Sequence, residues 1–290
     1  MSVLNYININ FLNPLQSIPA QWYLSLKNNF KALPKDHQKY QIIVSLTSFP
    51  ARFKTLHLVI KSILNQKLKP NIILICLSRD EVNNESELPQ KVLELKKYGL
   101  QIVFTGTNLK PHNKYYYTMK NFHDSVIITI DDDNIYDRNL ILSLYNSFIK
   151  FPEAISAKRV HKITYDTNGE LLPYSKWKYE YKKEIKPSFD LLATGVGGVL
   201  YPPGIMPEEI FNIKKISELC LNADDIWLKF MELLNKIPVV WVKSKRIHPL
   251  NIKSAQKITL QKNNYHNNLN DIYIQKMQNH YKVYLSSFLK

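Results

Sequence analysis

The stretch VIITIDDDNIYD, residues 126–137, passes directly from a β-branched apolar run into three consecutive aspartates. Short, continuously apolar runs of this kind are typical of strands that are buried on both faces of a sheet. The same pattern recurs in QIIVSL (41–46), NIILICL (71–77), LQIVFT (100–105) and, late in the chain, IPVVWV (237–242). Segments with a helical spacing of apolar residues lie between these runs. The sequence therefore predicts an α/β fold with a mostly parallel central sheet flanked by helices.

The alternation of strands and helices occupies residues 41–245 and predicts one domain, because no linker rich in Gly, Ser or Pro interrupts it. Residues 1–40 are polar and punctuated by prolines, and we interpret them as an N-terminal extension. Residues 246–290 are rich in Asn, Lys and Tyr, with a short helix expected near 270–285. We expect this C-terminal tail to pack on or near the active site.

The chain of 290 residues carries 39 Lys and Arg against 24 Asp and Glu, a formal net charge of +15. The lysines are scattered, so the charge indicates either contact with an anionic partner such as a lipid surface, or simply solubility. A hydrophobic content of 45% excludes general disorder. Two cysteines are too few for a disulfide framework, and no apolar run reaches the ~18 residues of a membrane span. We expect a cytoplasmic protein, with a peripheral contact on the inner face of the cytoplasmic membrane if its basic surface binds anionic lipid.

Asp131, Asp132 and Asp133 concentrate negative charge on this basic chain. Adjacent carboxylates repel one another and lose hydration when they are even partly buried, so a compensating charge is expected. Hard divalent cations take oxygen ligands, and a metal with its attached phosphates would neutralise the repulsion. The alternative is a polar turn in which Asp133 or Asp137 caps the next helix, but capping requires one aspartate rather than three. Ligands of α/β sheets bind at the carboxyl ends of the strands, where this triplet is predicted to lie.

Four of the seven glycines, Gly195, Gly197, Gly198 and Gly204, fall within ten residues. Glycine is needed where the backbone takes a positive φ or approaches another group closely. We interpret the segment as a loop that wraps against a substrate, although a tight turn fixed by the Pro202–Pro203 pair would use glycine in the same way.

Asp224 and Asp225 lie at the predicted start of a late helix. The helix dipole favours acidic residues in a first turn, which is a purely structural explanation. A carboxylate held there beside the apolar Trp227 is also suited to act as a general base for a substrate hydroxyl. Arg52 and Lys114 follow predicted strand ends and are candidates for phosphate contacts, although lone basic residues are usually solvated.

Two further side chains are weaker candidates, because each also has an ordinary structural explanation. Trp177, within the aromatic segment 174–181, is suited to stack on a sugar ring or to cover an edge of the core. His248, just after the last predicted strand, is a candidate for an additional metal ligand.

The order of these motifs is more specific than any one of them. Together VSLTSFPARF, PHNKYYYTMK, ITIDDDNIYD, ATGVGGVLYPPG and ADDIWLKF resemble the bacterial glycosyltransferases of the GT-A fold, specifically a family-2-like group of capsule, O-antigen and lipopolysaccharide biosynthesis clusters. The resemblance covers about residues 41–242. It implies a Rossmann-like nucleotide-binding half and transfer of a sugar from a nucleotide-sugar donor, for which a UDP-sugar is expected, to a hydroxyl of a glycan or lipid-linked acceptor. It also implies Mn2+ or Mg2+ as cofactor, and it favours inversion over retention at the anomeric carbon.

The resemblance also implies roles for individual residues. Asp131 would lie nearest the ribose, and Asp133, together with Asp132, would hold the metal on the diphosphate as the family's DXD motif. Asp225 or Asp224 would deprotonate the acceptor, and which of them acts stays open because the family more usually has Glu first in this pair. The implied nucleotide contacts are Thr47, Ser48, Arg52, Asp80 and Lys114, and the implied sugar and acceptor pocket is lined by Gly197, Gly198 and Trp177.

Two other classes of function use some of the same features. A metal-dependent phosphatase of the haloacid dehalogenase type also has Asp-x-Asp after an apolar strand, and Asp131 would then be a phosphoryl-accepting nucleophile. That motif normally follows the first strand, however, and runs on to Gly and Thr. A nucleic-acid-binding module would use the +15 charge and the aromatic residues, but an acidic triplet would repel phosphate. We therefore expect no nucleic acid partner.

Overall fold

The central element of the protein is a seven-stranded sheet, accompanied by two two-stranded sheets. The computed structural model describes residues 13–35, 39–183, 185–244, 249–252, 254–255 and 268–288. Within these residues the strands in chain order are β1 (Ile42–Thr47), β2 (Ile72–Ser78), β3 (Leu100–Thr105), β4 (Val126–Thr129), β5 (Asn134–Ile135), β6 (Ile155–Ala157), β7 (Val160–Lys162), β8 (Leu191–Ala193), β9 (Val199–Tyr201), β10 (Val239–Trp241) and β11 (Leu250–Asn251).

The helices of the same residues are α1 (Asn13–Leu26), α2 (Phe53–Leu64), α3 (Gln90–Leu93), α4 (Asn113–Asn121), α5 (Leu140–Lys150), α6 (Ile213–Lys215), α7 (Asp224–Leu234) and α8 (Leu269–Tyr281). α6 continues into a π-helix, Ile216–Cys220, and two short 3-10 turns, Pro50–Arg52 and Gly195–Gly197, lie near the carboxyl edge of the sheet. Over the described ranges, none of the helices combines the length and the apolar character that crossing a bilayer requires.

The main sheet has the order β10-β6-β9-β4-β1-β2-β3. All neighbouring strands in it run parallel except β9, which is antiparallel to both β4 and β6. The prediction of an α/β fold with a mostly parallel sheet flanked by helices is confirmed.

The sheet is buried on both faces, as the composition of its strands predicts. In β1, Val44 and Leu46 pack into one hydrophobic cluster with side chains of α2 and α5, whereas Ile43 packs into a second cluster with side chains of α4 and α7. Successive side chains of a strand point to opposite faces, so a strand covered on both sides needs apolar residues at every position. This is why the strands read as continuous apolar runs.

The direction of β9 decides what lies beside the aspartate triplet. Because β9 runs antiparallel to β4, the turn that precedes β9 lies at the carboxyl end of β4. The glycine turn Gly195–Gly197 reaches the aspartates in this way. On the other side of the triplet, β11 pairs with β5, and Ile252 N donates to Asp133 O at 2.9 Å, so part of the C-terminal tail also lies against it.

Two local details do not follow from the sequence pattern. Residues 154–190 show no regular apolar spacing, yet they contain β6 and β7, whose three residues each are too few to show a periodic pattern. Asp137 does not cap α5. Asn139 occupies the N-cap position without a side-chain bond, and Asp137 Oδ1 instead accepts a hydrogen bond from Asn139 N at 2.9 Å.

The helix α1 lies in the segment interpreted as an N-terminal extension, where the polar sequence with Pro14 and Pro19 does not predict a helix. It packs against β5, β11 and α2. The buried Lys61 of α2 donates to Leu24 O at 3.1 Å and to Asn28 Oδ1 at 2.9 Å. A cation at the C-terminal end of a helix satisfies carbonyls that have no partner within the helix and is favoured by its dipole. α1 is therefore fixed to the body of the domain.

Candidate active site

Carboxylates and cationic side chains from four separate segments meet at the carboxyl end of β4. β4 is followed by the triplet, the turn after β1 carries Arg52, α4 carries Lys114, and the first turn of α7 carries the acidic pair. The charged groups in this cluster are Asp131, Asp132, Asp133, Asp224, Asp225, Arg52 and Lys114.

Lys114 joins the triplet to the acidic pair of α7. Its Nζ lies 2.9 Å from Asp131 Oδ1 and 2.8 Å from Asp224 Oδ2, and only 6% of the side chain is exposed. Burial alone would lower the pKa of Lys114, but the two carboxylates raise it well above its ordinary value. The buried ammonium therefore stays charged between two acidic groups.

The two aspartates of the acidic pair have different surroundings. Asp224 is buried, which would raise the pKa of its carboxyl, but the contact with Lys114 holds that pKa below its ordinary value. Asp225 is partly exposed, and its Oδ1 accepts a hydrogen bond from Gly195 N at 3.0 Å. Desolvation of its carboxyl, followed by the charge of Asp224, raises the pKa of Asp225. Asp225 therefore accepts a proton more readily than Asp224.

Gly195 is the backbone position that approaches the charged groups most closely among the glycines of the turn. A Cβ at this position would lie 2.7 Å from Lys114 Nζ, 3.4 Å from Asp131 Oδ1 and 3.5 Å from Asp225 Oδ1. The absence of a side chain is what leaves room for the ammonium of Lys114 between the carboxylates.

Tyr136 connects the triplet to the glycine turn. Its hydroxyl accepts a hydrogen bond from Asp131 N at 2.8 Å and lies 3.3 Å from Val196 O. The sequence patterns did not single out Tyr136, and Gly195 was counted among the clustered glycines without a role in the pocket. The sequence did offer one indication of Tyr136, since it is an aromatic residue only five positions after the first aspartate of the triplet.

Asp132 ties the loop after β1 to the turn after β4. Its Oδ2 accepts a hydrogen bond from Ser48 Oγ at 2.5 Å, and its Oδ1 is bonded by Arg52 Nη1. The carboxyl group is buried, and both of its oxygens have protein partners.

Asp133 lies on the same guanidinium, with its Oδ2 3.3 Å from Arg52 Nη2. Burial, followed by the charge of Asp131, raises the pKa of Asp133 above its ordinary value although Arg52 opposes the shift. An additional cation beside Asp133 would stabilise the negatively charged form of its carboxyl group.

A divalent metal fits these residues if the substrate completes its ligands. Nowhere in the described ranges do three His, Cys, Asp or Glu side chains form a ready-made metal cage. Ions of the Mg2+ type at nucleotide sites commonly use one or two carboxylates, because substrate phosphates and water supply the remaining oxygens. Asp133 provides one such carboxylate, whereas both oxygens of Asp132, the other expected ligand, are engaged by Ser48 and Arg52.

The other residues singled out from the sequence have contacts away from this cluster. Thr47 Oγ1 donates to Cys76 O at 2.7 Å, and the exposed Asp80 accepts a hydrogen bond from Asn108 N at 3.0 Å. Thr47 is the last residue of β1, and Asp80 follows the end of β2 by two residues. His248 lies outside the described residues.

Gly197, Gly198 and Trp177 pack against protein. A Cβ on Gly197 would lie 2.8 Å from the backbone N of Arg159, and Gly198, with φ of +89°, lies against Leu140. Trp177 is 4% exposed, and its indole N donates to a backbone carbonyl at 2.9 Å. The structure therefore brings Gly195, rather than these three, against the charged groups.

Comparisons with known proteins identify the family of the chain. Residues 46–199, more than half of the chain, match the family model Glycosyl transferase family 2. The matched region includes the triplet, Lys114 and the glycine turn, and it ends before the acidic pair of α7. No curated protein sequence matches the chain.

Three solved structures are similar in three dimensions. The mannosyltransferase PcManGT from Pyrobaculum calidifontis, in complex with GDP-Man and Mn2+, has a TM-score of 0.50 and 8% identity, covering 97% of this chain and 75% of that chain. A 4-diphosphocytidyl-2C-methyl-D-erythritol synthase has a TM-score of 0.43 and 10% identity, covering 80% and 99%. The UTP-bound UGPase from Acinetobacter baumannii has a TM-score of 0.41 and 11% identity, covering 85% and 100%. The likeness to the mannosyltransferase shows a shared fold.

Proposed function

The chain belongs to glycosyl transferase family 2, and from this premise we propose that its carboxylate cluster binds the diphosphate of a nucleotide-sugar donor through Mn2+ or Mg2+ while Asp225 deprotonates the acceptor hydroxyl. The observation that carries the proposal is the charge balance of the site. Five carboxylates surround two cationic side chains, and an anionic donor could not approach them without a further cation.

The three aspartates of the triplet have unequal proposed roles. Asp133 is the proposed metal ligand and Asp131 the residue nearest the ribose. Asp132 is proposed to anchor the loop that carries Ser48 and Arg52, because both of its oxygens are engaged there. When bound, the metal would stabilise the negative charge that develops on the leaving nucleoside diphosphate.

Asp225 is the proposed base because it combines access with proton affinity. It is partly exposed, its pKa is raised, and Gly195 N orients one oxygen while leaving the other for the acceptor. Asp224 is buried and neutralised by Lys114, so we propose that it positions the lysine. One base acting opposite the leaving group gives inversion at the anomeric carbon.

The proposals for the donor, the acceptor and the compartment rest on the sequence motifs and the cysteines rather than on the geometry of the site. The family resemblance of the motifs supports a UDP-sugar donor and a glycan or lipid-linked acceptor in bacterial surface polysaccharide synthesis. Two buried free cysteines, Cys76 and Cys220, support a reducing compartment such as the cytoplasm. Because the mannosyltransferase of similar fold was solved with GDP-Man and Mn2+, GDP is included in the experiment below.

The test is calorimetric titration of UDP and GDP into the purified protein, with Mn2+, with Mg2+ and with a chelator. We expect one of the nucleotides to bind only when the metal is present. A screen of nucleotide-sugars for metal-dependent hydrolysis then identifies the donor. Binding of both nucleotides that is unchanged by the chelator would refute the metal role.

The rival functions have their own readouts. Metal-dependent hydrolysis of p-nitrophenyl phosphate that is lost in Asp131→Asn, without nucleotide binding, would support the phosphatase. Thermal stabilisation by RNA alone would support the nucleic-acid-binding module.

A further inference from the structure

One face of α1 exposes large apolar side chains to solvent. Trp22 is 67% exposed, Leu15 65%, Ile18 62% and Leu26 61%, and the neighbouring Tyr23 is 50% exposed. Single exposed apolar residues are ordinary on a protein surface, but a contiguous group of this size indicates a contact.

These residues form a stripe along the helix. With 3.6 residues per turn, Leu15, Ile18, Trp22 and Leu26 fall within about 80° of the helix circumference. On the opposite side the buried positions include Ser17 and Leu24. A helix on the surface of a globular domain normally turns its larger apolar residues to the core, so α1 has the reverse arrangement.

The helix is held firmly in this orientation. Asn13 Nδ2 donates to Pro249 O at 2.9 Å, and Asn13 Oδ1 accepts from Asn251 N at 2.8 Å. At the other end Lys61 binds the carbonyl of Leu24. The apolar stripe therefore faces outward because both ends of α1 are fixed.

Basic residues surround one end of the stripe, whereas α1 itself contains none. Lys27 Nζ donates to Asn65 Oδ1 at 2.7 Å, Arg138 Nε donates to Asn65 O at 3.3 Å, and Lys69 Nζ donates to the O of the adjacent Leu64, so these three cations lie close together. Burial, together with the charges of Lys27, Arg138 and Lys31, lowers the pKa of Lys69, which agrees with that arrangement and adds Lys31 to it. We refer to these four side chains as the basic cluster. Lys27 Nζ also lies 3.0 Å from Tyr23 OH, so the basic cluster adjoins the stripe.

We propose that α1 docks the protein on an anionic membrane surface. The apolar stripe enters the boundary between headgroups and acyl chains, with Trp22 and Tyr23 at the depth that amphipathic aromatic rings favour, and the basic cluster lies against the lipid phosphates. Because α1 packs against β5, which directly follows the triplet, docking holds the carboxylate cluster near the lipid surface. If the acceptor is lipid-linked, the docked membrane is the surface that presents it. This link to the acceptor rests on the proposed function, whereas the docking of α1 does not.

Other occupants fit these observations less well. A nucleic acid would bind the basic cluster through its phosphates and would have no use for Leu15, Ile18 and Leu26. A symmetric contact between two copies through this face would cover the stripe but would offer the basic cluster no anionic group from α1, because α1 contains no acidic residue. A bilayer that contains anionic lipid satisfies both the apolar and the basic parts.

The test is co-sedimentation of the full chain with phosphatidylcholine vesicles that contain or lack phosphatidylglycerol, at low salt. We expect sedimentation with the anionic vesicles, and binding at least about tenfold weaker in the Ile18→Gln/Trp22→Gln variant because two apolar anchors are lost. Ile149→Gln, which alters an isoleucine that is 54% exposed on α5, is the matched control and should bind like the unaltered protein. In Lys27→Gln/Lys31→Gln we expect a loss of about fivefold per lysine, on anionic vesicles only.

Failure to sediment, or equal binding of the unaltered protein and the Ile18→Gln/Trp22→Gln variant, would overturn the proposal. So would dimers in sedimentation velocity that dissociate in this variant, because the occupant would then be a second copy. Metal-dependent nucleotide binding is measured on the same preparations. If it persists when vesicle binding fails, docking alone is refuted, and if it is absent while vesicle binding persists, the proposed function alone is refuted.

Discussion

Replacing Gly195 by alanine tests whether the position of Lys114 Nζ controls the site. The new Cβ would lie 2.7 Å from that nitrogen, closer than carbon and nitrogen atoms can approach without a bond. Gly195 does not have a positive φ, so the backbone accepts alanine. The steric conflict is relieved most easily by the end of the flexible lysine, which must then move from its contacts with Asp131 and Asp224. We expect a folded protein with a misplaced ammonium.

The magnitude follows from those contacts. A hydrogen bond to a charged group contributes about 1.5–3 kcal/mol, so weakening one of the two corresponds to a loss of about 10- to 100-fold in kcat/KM. The free energy of unfolding should fall by about 0.5–2.5 kcal/mol, because the lower entropy of the unfolded chain with alanine offsets only about 0.4–1 kcal/mol of that loss.

The assay is kcat/KM with the donor identified in the nucleotide-sugar screen, together with urea unfolding. Gly106→Ala is the matched control, because a Cβ there meets nothing within 4 Å. If the two alanine variants have the same kcat/KM, Lys114 Nζ does not need its observed position, and the reasoning is refuted.

Three further predictions concern the aspartates and a buried histidine. Asp133→Ala should abolish metal-dependent nucleotide binding in calorimetry while the protein stays folded, and unchanged affinity would remove its role as ligand. Asp225→Asn should keep nucleotide binding but lower kcat by about 10²–10⁴-fold, and near-normal turnover would exclude it as the base. Burial lowers the pKa of His112 to about 4, whereas an unfolded histidine has a pKa of about 6.5. Below pH 6.5 the unfolded chain therefore binds a proton that the folded protein does not, and the contribution of His112 to stability is lost as the pH falls from about 6.5 toward 4. We expect urea unfolding to show a loss of about 2 kcal/mol from this group between pH 7 and pH 5, absent in His112→Gln, and equal pH dependence in both proteins would contradict it.

The parts of the fold that the sequence predicts are those with strong local patterns. β1 to β4 appear as continuous apolar runs because both faces of the sheet are covered, and the triplet is placed at the carboxyl edge by the fold class alone. β6 and β7 have three residues each, and only their neighbours in the sheet define them. α1 could not be predicted, because two prolines interrupt its sequence and most of its large apolar residues face outward rather than toward the core.

Within the site, residue types were predictable and partners were not. That Lys114 joins Asp131 to Asp224 depends on the tertiary fold, which brings α4 and the first turn of α7 to the same edge of the sheet and which no local pattern encodes. The choice of Gly195 over its neighbours likewise depends on the antiparallel course of β9. Trp177 is buried, which agrees with the second of the two interpretations given for it, that it covers an edge of the core.

A hybrid enzyme built by exchanging segments with relatives would have to respect the lysine that spans two of them. If α7 were replaced by a helix without an aspartate at its first position, Lys114 would keep only Asp131, and a buried ammonium with half of its counter-charge destabilises the whole assembly. If the segment that carries the triplet were replaced instead, Lys114 would lose Asp131 and keep only Asp224. The unit to be exchanged is therefore the lysine together with both of its carboxylates, so the segments that carry Asp131 and Asp224 have to be replaced together.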